Sequence, residues 1–318
     1  MPSCRKMIAQ MLLVLICGGS ISTGYAEQTG TPVYGRTELA KYITLDGVHN
    51  GAGSTYFQSL IDYSSGIFES NFLWAHRCKI PPKAGIGLNL KRFMEGIYWG
   101  FNIPAEFTIN DGTALLPAGA SALCDMGSYQ GIFNPSETDT LEFLHTAVSR
   151  DKMPGGDLGV VDLKDNLANR TVLSPAPFAW TQLDRTLLKP VTALHRGRGT
   201  IEMRRMWDEV SFESPWVAVD HVVLPPGTSI GCHRYRNGEA VYYILEGSGL
   251  FTVNEHTWRI RPGDAVPATR GDCHGVYNDT GADLELFFMT VALKKGEAPD
   301  IEDTGDDLST KKATGTVQ

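Results

Sequence analysis

The feature of this sequence that most constrains its fold is a long internal repeat. Residues 79–87 read KIPPKAGIG, and residues 223–231, which lie 144 positions further on, read VLPPGTSIG. The same displacement aligns residues 68–70 with 212–214, Glu95 with Glu239, Tyr98 with Tyr242 and Asn134 with Asn278. Solenoid repeats are about 20 to 50 residues long, so a displacement of this size indicates a duplicated domain. The two copies cover residues 49–147 and 195–292.

Each copy alternates between short strand-like runs and turn signals. In the second copy, β-branched and aromatic residues are concentrated in the segments 216–224, 242–245, 250–253, 258–260 and 284–291. Gly- and Pro-containing clusters separate these segments, at the spacing typical of a β-sandwich or β-barrel. The chain has 34 Gly and 17 Pro residues, many for a helical protein, and shows no long amphipathic helical period. The pattern predicts an all-β fold.

The first 26 residues have the organisation of a secretory signal peptide. Arg5 and Lys6 precede an apolar run at 11–17, and Gly24 and Ala26 place small residues at the positions that define a cleavage site. The apolar run is shorter than the roughly 20 residues that cross a bilayer. We therefore expect export to the periplasm or the extracellular space, without a membrane span. Disulfides persist in these compartments.

Charge and motif content exclude several functions. The formal net charge is -8, and the sequence contains no basic block of five or more residues, which argues against a nucleic-acid partner. It also contains no Gly-rich phosphate loop followed by Lys and no H-E-x-x-H motif. Nucleotide use and zincin proteolysis are therefore disfavoured.

Two segments of the second copy resemble the two motifs of the cupin superfamily. Residues 227–247, with His233, Tyr235 and Glu239, are similar to the first motif, and residues 261–278, with His274 and Asn278, are similar to the second. The resemblance covers residues 195–292 and, more weakly, the first copy. It implies a bicupin of two tandem double-stranded β-helix, or jelly-roll, barrels. It does not identify a substrate, because cupins include enzymes, storage proteins and sugar binders.

With this resemblance the sequence divides into five parts. They are a signal peptide (1–26), a degenerate N-terminal cupin domain (27–147), an irregular linker (148–194), a C-terminal cupin domain (195–293) and a disordered tail (294–318). Disorder is predicted for the tail because it lacks apolar periodicity.

The resemblance implies a divalent metal site in the second copy. In the family, two His of an H-x-H segment, a Glu on the next strand and a His of the second motif surround the metal. His233 and His274 match, Tyr235 replaces the second His, and Glu239 is the candidate carboxylate. We therefore predict a site of His233, Glu239, His274 and Tyr235, suited to Fe, Mn, Ni or Zn. Glu239 and Tyr235 are the candidate catalytic residues for proton transfer.

The orientation of Glu239 is open at this point. Seven residues separate Glu239 from Gly247 where the family has six, and this register points Ala240 into the barrel. A β-bulge at the start of the strand could turn Glu239 inward again. The alternative to a metal site is that His233 and His274 are core residues of a cupin that has lost its metal.

The first copy has different residues at the equivalent positions. These are Asn89, Lys91, Glu95 and Gln130, which offer no imidazole. We expect no transition metal there and predict an ion pair between Lys91 and Glu95. The first barrel is then either a second ligand pocket or a scaffold for the other barrel.

The resemblance also bears on Cys232 and Cys273, each of which directly precedes a candidate His ligand. In the cupin barrel the two motif strands are neighbours, so inward His side chains imply outward Cys side chains within disulfide reach. The alternatives are a disulfide behind the site and two independent thiols. His49 and His195, which recur between the copies next to Gly, are interpreted as hydrogen-bonding loop residues.

Two functions stay open. As a metal-dependent cupin enzyme, the protein would act on a small oxygenated or anionic molecule by oxidation, isomerisation or elimination. As a non-catalytic cupin, it would bind a sugar or another small molecule without turnover. A small-molecule ligand is expected in both cases, and assembly as a homodimer stays open.

Overall fold

The computed structural model describes residues 35–152 and 159–314. The predicted signal peptide, residues 1–26, and the start of the predicted N-terminal domain lie outside the described residues. The strands of the first half are β1 (Gly35–Arg36), β2 (Ile43–Asp46), β3 (Ser54–Asp62), β4 (Phe72–Ile80), β5 (Gly85–Lys91), β6 (Met94–Gly100), β7 (Ala105–Ile109), β8 (Gly112–Leu116), β9 (Ala120–Cys124), β10 (Tyr129–Phe133), β11 (Leu141–Ser149) and β12 (Val160–Asp162).

The strands of the second half follow the same order. They are β13 (Trp180–Gln182), β14 (Lys189–Thr192), β15 (Thr200–Asp208), β16 (Trp216–Leu224), β17 (Ser229–Tyr235), β18 (Gly238–Glu246), β19 (Gly249–Val253), β20 (His256–Ile260), β21 (Asp264–Ala268), β22 (His274–Tyr277), β23 (Leu284–Ala292) and β24 (Ile301–Asp303). Short 3-10 helices occur at Leu39–Lys41, Val48–Asn50, Tyr63–Ser65, Arg185–Leu187, Leu194–Arg196 and Glu209–Ser211. None of the described helices has the length and hydropathy needed to cross a membrane.

Each half forms a barrel from a seven-stranded and a five-stranded sheet. The first barrel has the orders β13-β9-β6-β11-β4-β3-β2 and β12-β5-β10-β7-β8, and the second barrel has β1-β21-β18-β23-β16-β15-β14 and β24-β17-β22-β19-β20. The two orders correspond strand for strand, so Glu95 on β6 occupies the position of Glu239 on β18. Apolar side chains from both sheets fill each interior. The predicted all-β fold and duplication are confirmed.

The predicted irregular linker contributes short strands to both barrels. Strand β12 adds an edge to the first barrel by pairing with β5, and β14 pairs with β15 of the second barrel. The two remaining short strands are exchanged: β1 pairs with β21 of the second barrel, and β13 pairs with β9 of the first. These segments were missed because two to four residues carry too little periodicity to indicate a strand.

The prediction of a disordered tail is wrong for residues 294–314. Strand β24 pairs with β17, and Leu308 is fully buried against Cys232 and Cys273. The tail has the same local turn as the segment after β12. The backbone N–H of Leu308 donates to the carboxylate of Asp306, and the backbone N–H of Leu167 donates to that of Asp165. Its anchoring depends on one buried side chain and local turns, which a search for apolar periodicity does not detect.

The two barrels share a hydrophobic core. The indole of Trp99 stacks on Phe287, with ring centroids 4.2 Å apart, and Phe101 stacks on Tyr243 at 5.7 Å. These side chains come from the outer faces of the seven-stranded sheets and belong to one buried cluster. The outward face of each of these sheets is therefore an interior surface of the protein.

Cys232 and Cys273 form a disulfide, with Cα atoms 5.6 Å apart. The bond lies on the outer side of the β17–β22 pair and is covered by Leu308. The disulfide alternative of the sequence analysis is confirmed. It links the two strands that carry His233 and His274.

A thiol titration tests this bridge. Cys78 and Cys124 are buried and free, so a chain beginning at Glu27, unfolded without reductant, is expected to show two reactive thiols. Reduction before unfolding is expected to raise the number to four, which is the cysteine count after residue 26. Four thiols without reductant would rule out the disulfide.

Candidate functional site

The second barrel places two imidazoles side by side in its interior. His233 on β17 is the direct cross-strand partner of His274 on β22, and the ring centroids are 4.2 Å apart. Both side chains are almost fully buried. Directly opposed residues of an antiparallel pair project from the same face of the sheet. The structure therefore brings the two predicted His ligands together.

Hydrogen bonds fix the tautomer of both rings. The Nδ1 atom of His233 lies 3.0 Å from the carbonyl oxygen of Gly231, and that of His274 lies 3.0 Å from the carbonyl oxygen of Asp272. A carbonyl only accepts, so each Nδ1 carries the proton and donates it. Each Nε2 atom then has a free lone pair. Both Nε2 atoms are buried and have no hydrogen-bond partner among the described residues.

The surroundings keep both imidazoles neutral. Burial lowers the pKa of His274 to about 4, although the carbonyl and carboxylate of Asp272 raise it. Burial and the neighbouring His274 and His195 hold the pKa of His233 well below its ordinary value. A neutral imidazole whose Nδ1–H donates to a backbone carbonyl is the form in which His binds a metal through Nε2.

Two tyrosines border the imidazole pair. The ring of Tyr235 meets His233 edge to face at 5.3 Å and lies 5.4 Å from His274, so the structure brings this predicted residue to the site. Burial raises its pKa to about 12. The ring centroid of Tyr242 on β18 is 5.7 Å from that of His274, and the buried hydroxyl of Tyr242 has no partner among the described residues.

Tyr242 was not identified as a site residue from the sequence. A signal was present, because Tyr242 recurs in the first copy as Tyr98 and lies two positions after Ala240 on the same strand. Side chains two residues apart project from the same face. An inward Ala240 therefore implies an inward Tyr242.

His195 contributes a third ring that the sequence analysis assigned to a loop. Its Nδ1 atom donates to Asp303 at 2.8 Å, and its ring stacks on His233 with centroids 3.7 Å apart. The loop packs closely against β17 because Gly231 has no side chain. A Cβ atom at this position would lie only 2.1 Å from the carbonyl oxygen of His195. His195 is thus a hydrogen-bonding loop residue, as predicted, and it also covers one face of a candidate ligand.

Glu239 does not belong to this site, and its assignments as a metal ligand and a catalytic residue are wrong. Its carboxylate accepts from the backbone N–H groups of Glu69 and Ser70 in the first half, both at 2.9 Å. The start of β18 has no bulge, so Ala240 and Tyr242 line the barrel while Glu239 and Val241 face the other barrel. The register alternative that points Ala240 inward is the one observed.

Glu95, the corresponding glutamate of the first copy, makes the same kind of contact with the second half. Glu95 accepts from the backbone N–H groups of Glu213 at 2.6 Å and Ser214 at 2.7 Å. The predicted Lys91–Glu95 ion pair is therefore absent from the described residues, since Lys91 points into the barrel and contacts His145. Each half thus supplies one glutamate whose carboxylate accepts hydrogen bonds from the backbone of the other half.

The donor set of the second barrel fits a metal through its two imidazoles. The described residues contain no group of three or more His, Cys, Asp or Glu side chains arranged for a metal ion. A metal held by His233 and His274 would take its other ligands from a phenol, solvent or an anionic ligand. In the first barrel the equivalent position holds Asn89, whose amide donates to the carbonyl oxygens of Gly87 and Gln130. Neither Asn89 nor Gln130 offers an imidazole nitrogen, so the two barrels differ at these positions.

Comparisons with known proteins agree with this architecture. Residues 220–290 match the Cupin domain family. The oxalate-binding protein of Thermotoga maritima is 28% identical over 103 residues, which are 32% of this chain and 85% of that protein. Oxalate decarboxylase of Bacillus subtilis superposes with a TM-score of 0.59 at 15% identity, covering 86% of this chain and 79% of that chain. Oxalate decarboxylase of Lactobacillus farciminis, in a formate complex, gives 0.57 at 15% identity, covering 89% and 92%.

Two tandem β-barrels with corresponding strand orders define a duplicated jelly-roll fold. The match to the Cupin domain family lies within the second barrel, and the oxalate decarboxylases share the fold over most of this chain. The resemblance found in the sequence is therefore confirmed for the cupin domain of the second copy.

Proposed function

We propose that the second barrel binds a divalent metal between the Nε2 atoms of His233 and His274 and takes a small oxygenated anion as its ligand. The observation that carries the proposal is the pair of buried Nε2 atoms without partners among the described residues. Burying a polar atom without a partner costs about 1 to 3 kcal/mol. A bound metal would remove this cost and supply a Lewis acid toward a carboxylate or carbonyl oxygen.

The relatives support a small carboxylate as the ligand. The Thermotoga maritima protein is named for oxalate binding, and the structural neighbours are oxalate decarboxylases. One of these neighbours, from Bacillus subtilis, is described with Mn(II) centres; it has a TM-score of 0.56 at 15% identity. In this chain the ring of Tyr242 borders His274, and its buried hydroxyl has no partner among the described residues, which would allow it to donate to an anion oxygen. Oxalate is the first ligand to test, with manganese as the first metal.

For turnover, Tyr235 is the proposed proton-transfer group. Its ring lies against both imidazoles, so a molecule held at the Nε2 atoms would be close to the phenol. The proposed reaction is an oxidation, an isomerisation or an elimination. Binding without turnover is the second candidate, and the orientation of Glu239 favours it. The carboxylate that the cupin motif supplies next to the metal is here bound to backbone N–H groups of the other half.

Calorimetric titration with oxalate, combined with product analysis, tests both candidates. The manganese-loaded protein is expected to release binding heat that the metal-free protein does not. Formate and carbon dioxide, or carbon dioxide and hydrogen peroxide, would identify turnover, while heat without products would identify a binding protein. Equal heats with and without metal would contradict the metal-dependent proposal.

We also propose export by the predicted signal peptide. The support is the arrangement of Arg5, Lys6 and the apolar run, together with the disulfide, a bond that persists in oxidising compartments.

A further inference from the structure

The interior of the first barrel contains a buried lysine. Lys91 on β5 is 5% exposed, and its Nζ atom lies 3.2 Å from the Nε2 atom of His145 on β11. The rings of Trp74 and Tyr98 lie 5.4 and 5.8 Å from Nζ. Lysines are almost never this buried without a charged partner. The protonation state of this amine therefore depends on its contact with His145.

Hydrogen bonding shows which atom donates in that contact. The indole Nε1–H of Trp74 donates to Nδ1 of His145 at 3.1 Å. Indole nitrogen only donates, so Nδ1 must be the accepting atom, and neutral His145 carries its proton on Nε2. That Nε2–H faces Lys91. The 3.2 Å contact is a hydrogen bond only if the lysine is a neutral amine with a free lone pair.

The surroundings agree with a neutral amine. Burial lowers the pKa of Lys91 to about 7 and holds that of His145 well below its ordinary value. The titratable groups that act on the two side chains are the thiols of Cys78 and Cys124 and the imidazoles of His49 and His76. Burial raises the pKa of both thiols to well above neutral pH. No carboxylate is among the groups that act on Lys91.

A second polar side chain in the interior of the first barrel has unused hydrogen-bonding atoms. Gln130 is 1% exposed, and neither its Nε2 nor its Oε1 has a partner among the described residues. It is the cross-strand partner of Asn89, which lies two residues before Lys91 on the same face of β5, and of Ile109 in the barrel core. The barrel thus combines an amine with an amide whose donors and acceptor are unused.

We propose that Lys91 is a nucleophilic amine that forms an imine with a small aldehyde or 2-oxo acid bound in the first barrel. The lone pair of Nζ forms a bond to the carbonyl carbon while the C=O π pair moves to oxygen. The two amine protons leave with that oxygen as one water molecule, so no oxidant or reductant is consumed. His145 Nε2–H is the group that can give a proton to the oxygen and recover one from the amine. Gln130 would bind the remainder of the molecule.

Reductive trapping with glyoxylate and cyanoborohydride tests the proposal in the full protein near neutral pH. The reagent reduces an imine to a stable carboxymethyl-lysine, which peptide mass spectrometry assigns to a residue. Lys83, half exposed, is the internal reference. Because the amine of Lys83 is held as a cation in an ion pair with Glu137, while the contact of Lys91 with His145 requires a neutral amine, Lys91 is expected to be labelled roughly tenfold or more faster than Lys83. An unmodified Lys91 at a dose that labels Lys83 would overturn the proposal.

Two variants control the experiment. Lys91→Met is expected to remove the fast label, while Lys83→Met leaves it unchanged. His145→Phe keeps an aromatic ring but removes the Nε2–H, and it is expected to slow labelling of Lys91. If Lys91→Met fails to fold, the ratio of the two sites in the wild-type protein still decides the question.

Discussion

His274→Ala is expected to lower the affinity of the protein for manganese or zinc by roughly a hundredfold or more. Loss of groups that only orient a ligand already costs 10- to 100-fold, and this substitution removes one of the two buried Nε2 donors. The measurement is metal content after equilibrium dialysis, together with titration against a competing chelator. His233→Ala is expected to have an effect of the same size.

Gln130→Ala is the matched control, because Gln130 on β10 occupies the position of His274 on β22 in the first barrel. It is expected to leave metal affinity unchanged. Both proteins should fold, since a change of this kind costs about 1 to 3 kcal/mol of the free energy of unfolding. Equal metal affinity in wild type and His274→Ala would refute the metal site and favour a metal-free binding protein.

Glu239→Ala is expected to lower the free energy of unfolding by about 2 to 5 kcal/mol, without changing metal affinity. The carboxylate accepts from two backbone N–H groups in the other half, that of Ser70 in a buried and that of Glu69 in a partly buried position, and a buried donor left without a partner costs about 1 to 3 kcal/mol. Denaturant unfolding followed by tryptophan fluorescence measures the loss. Glu95→Ala is expected to have a similar effect, because it removes the reciprocal contact.

Glu255, which is exposed, supplies the control: Glu255→Ala is expected to change stability by less than about 0.5 kcal/mol. Glu239→Gln separates the structural role from ligation. A Gln at this position keeps one acceptor and loses the other, so stability should fall by less than in Glu239→Ala. A loss of metal affinity in Glu239→Gln with unchanged stability would show that the carboxylate faces the metal.

The repeat and the two motifs were sufficient to predict the barrels and the His233–His274 pair, and they left the disulfide behind this pair as one of two alternatives. These features follow from the pleat, because residues paired across neighbouring strands share a face. The prediction that failed was that the side chain of Glu239 points to the metal site. A shift of one residue sends a side chain to the opposite face, and in this fold the opposite face is covered by a second barrel, so a carboxylate is equally well buried there.

The remaining differences concern contacts between distant segments. His195 reaches His233 because Asp303, 108 residues away along the chain, accepts from its Nδ1. Lys91 contacts His145 and not Glu95, because Lys91 ends β5 while Glu95 lies on β6, and the alternation of faces along a strand does not continue across the turn between them. Strand pairing therefore predicts cross-strand partners, while contacts between the two sheets of a barrel, between the barrels or with the tail need the folded structure.

The most direct test of the metal site is a crystal structure of the protein loaded with manganese, with anomalous difference density measured at the metal's absorption edge. We expect a single strong peak in the second barrel, within ligand distance of the Nε2 atoms of His233 and His274, and none at Asn89 or Gln130. A second barrel without a peak, at a manganese concentration that saturates metal binding in solution, would refute the site.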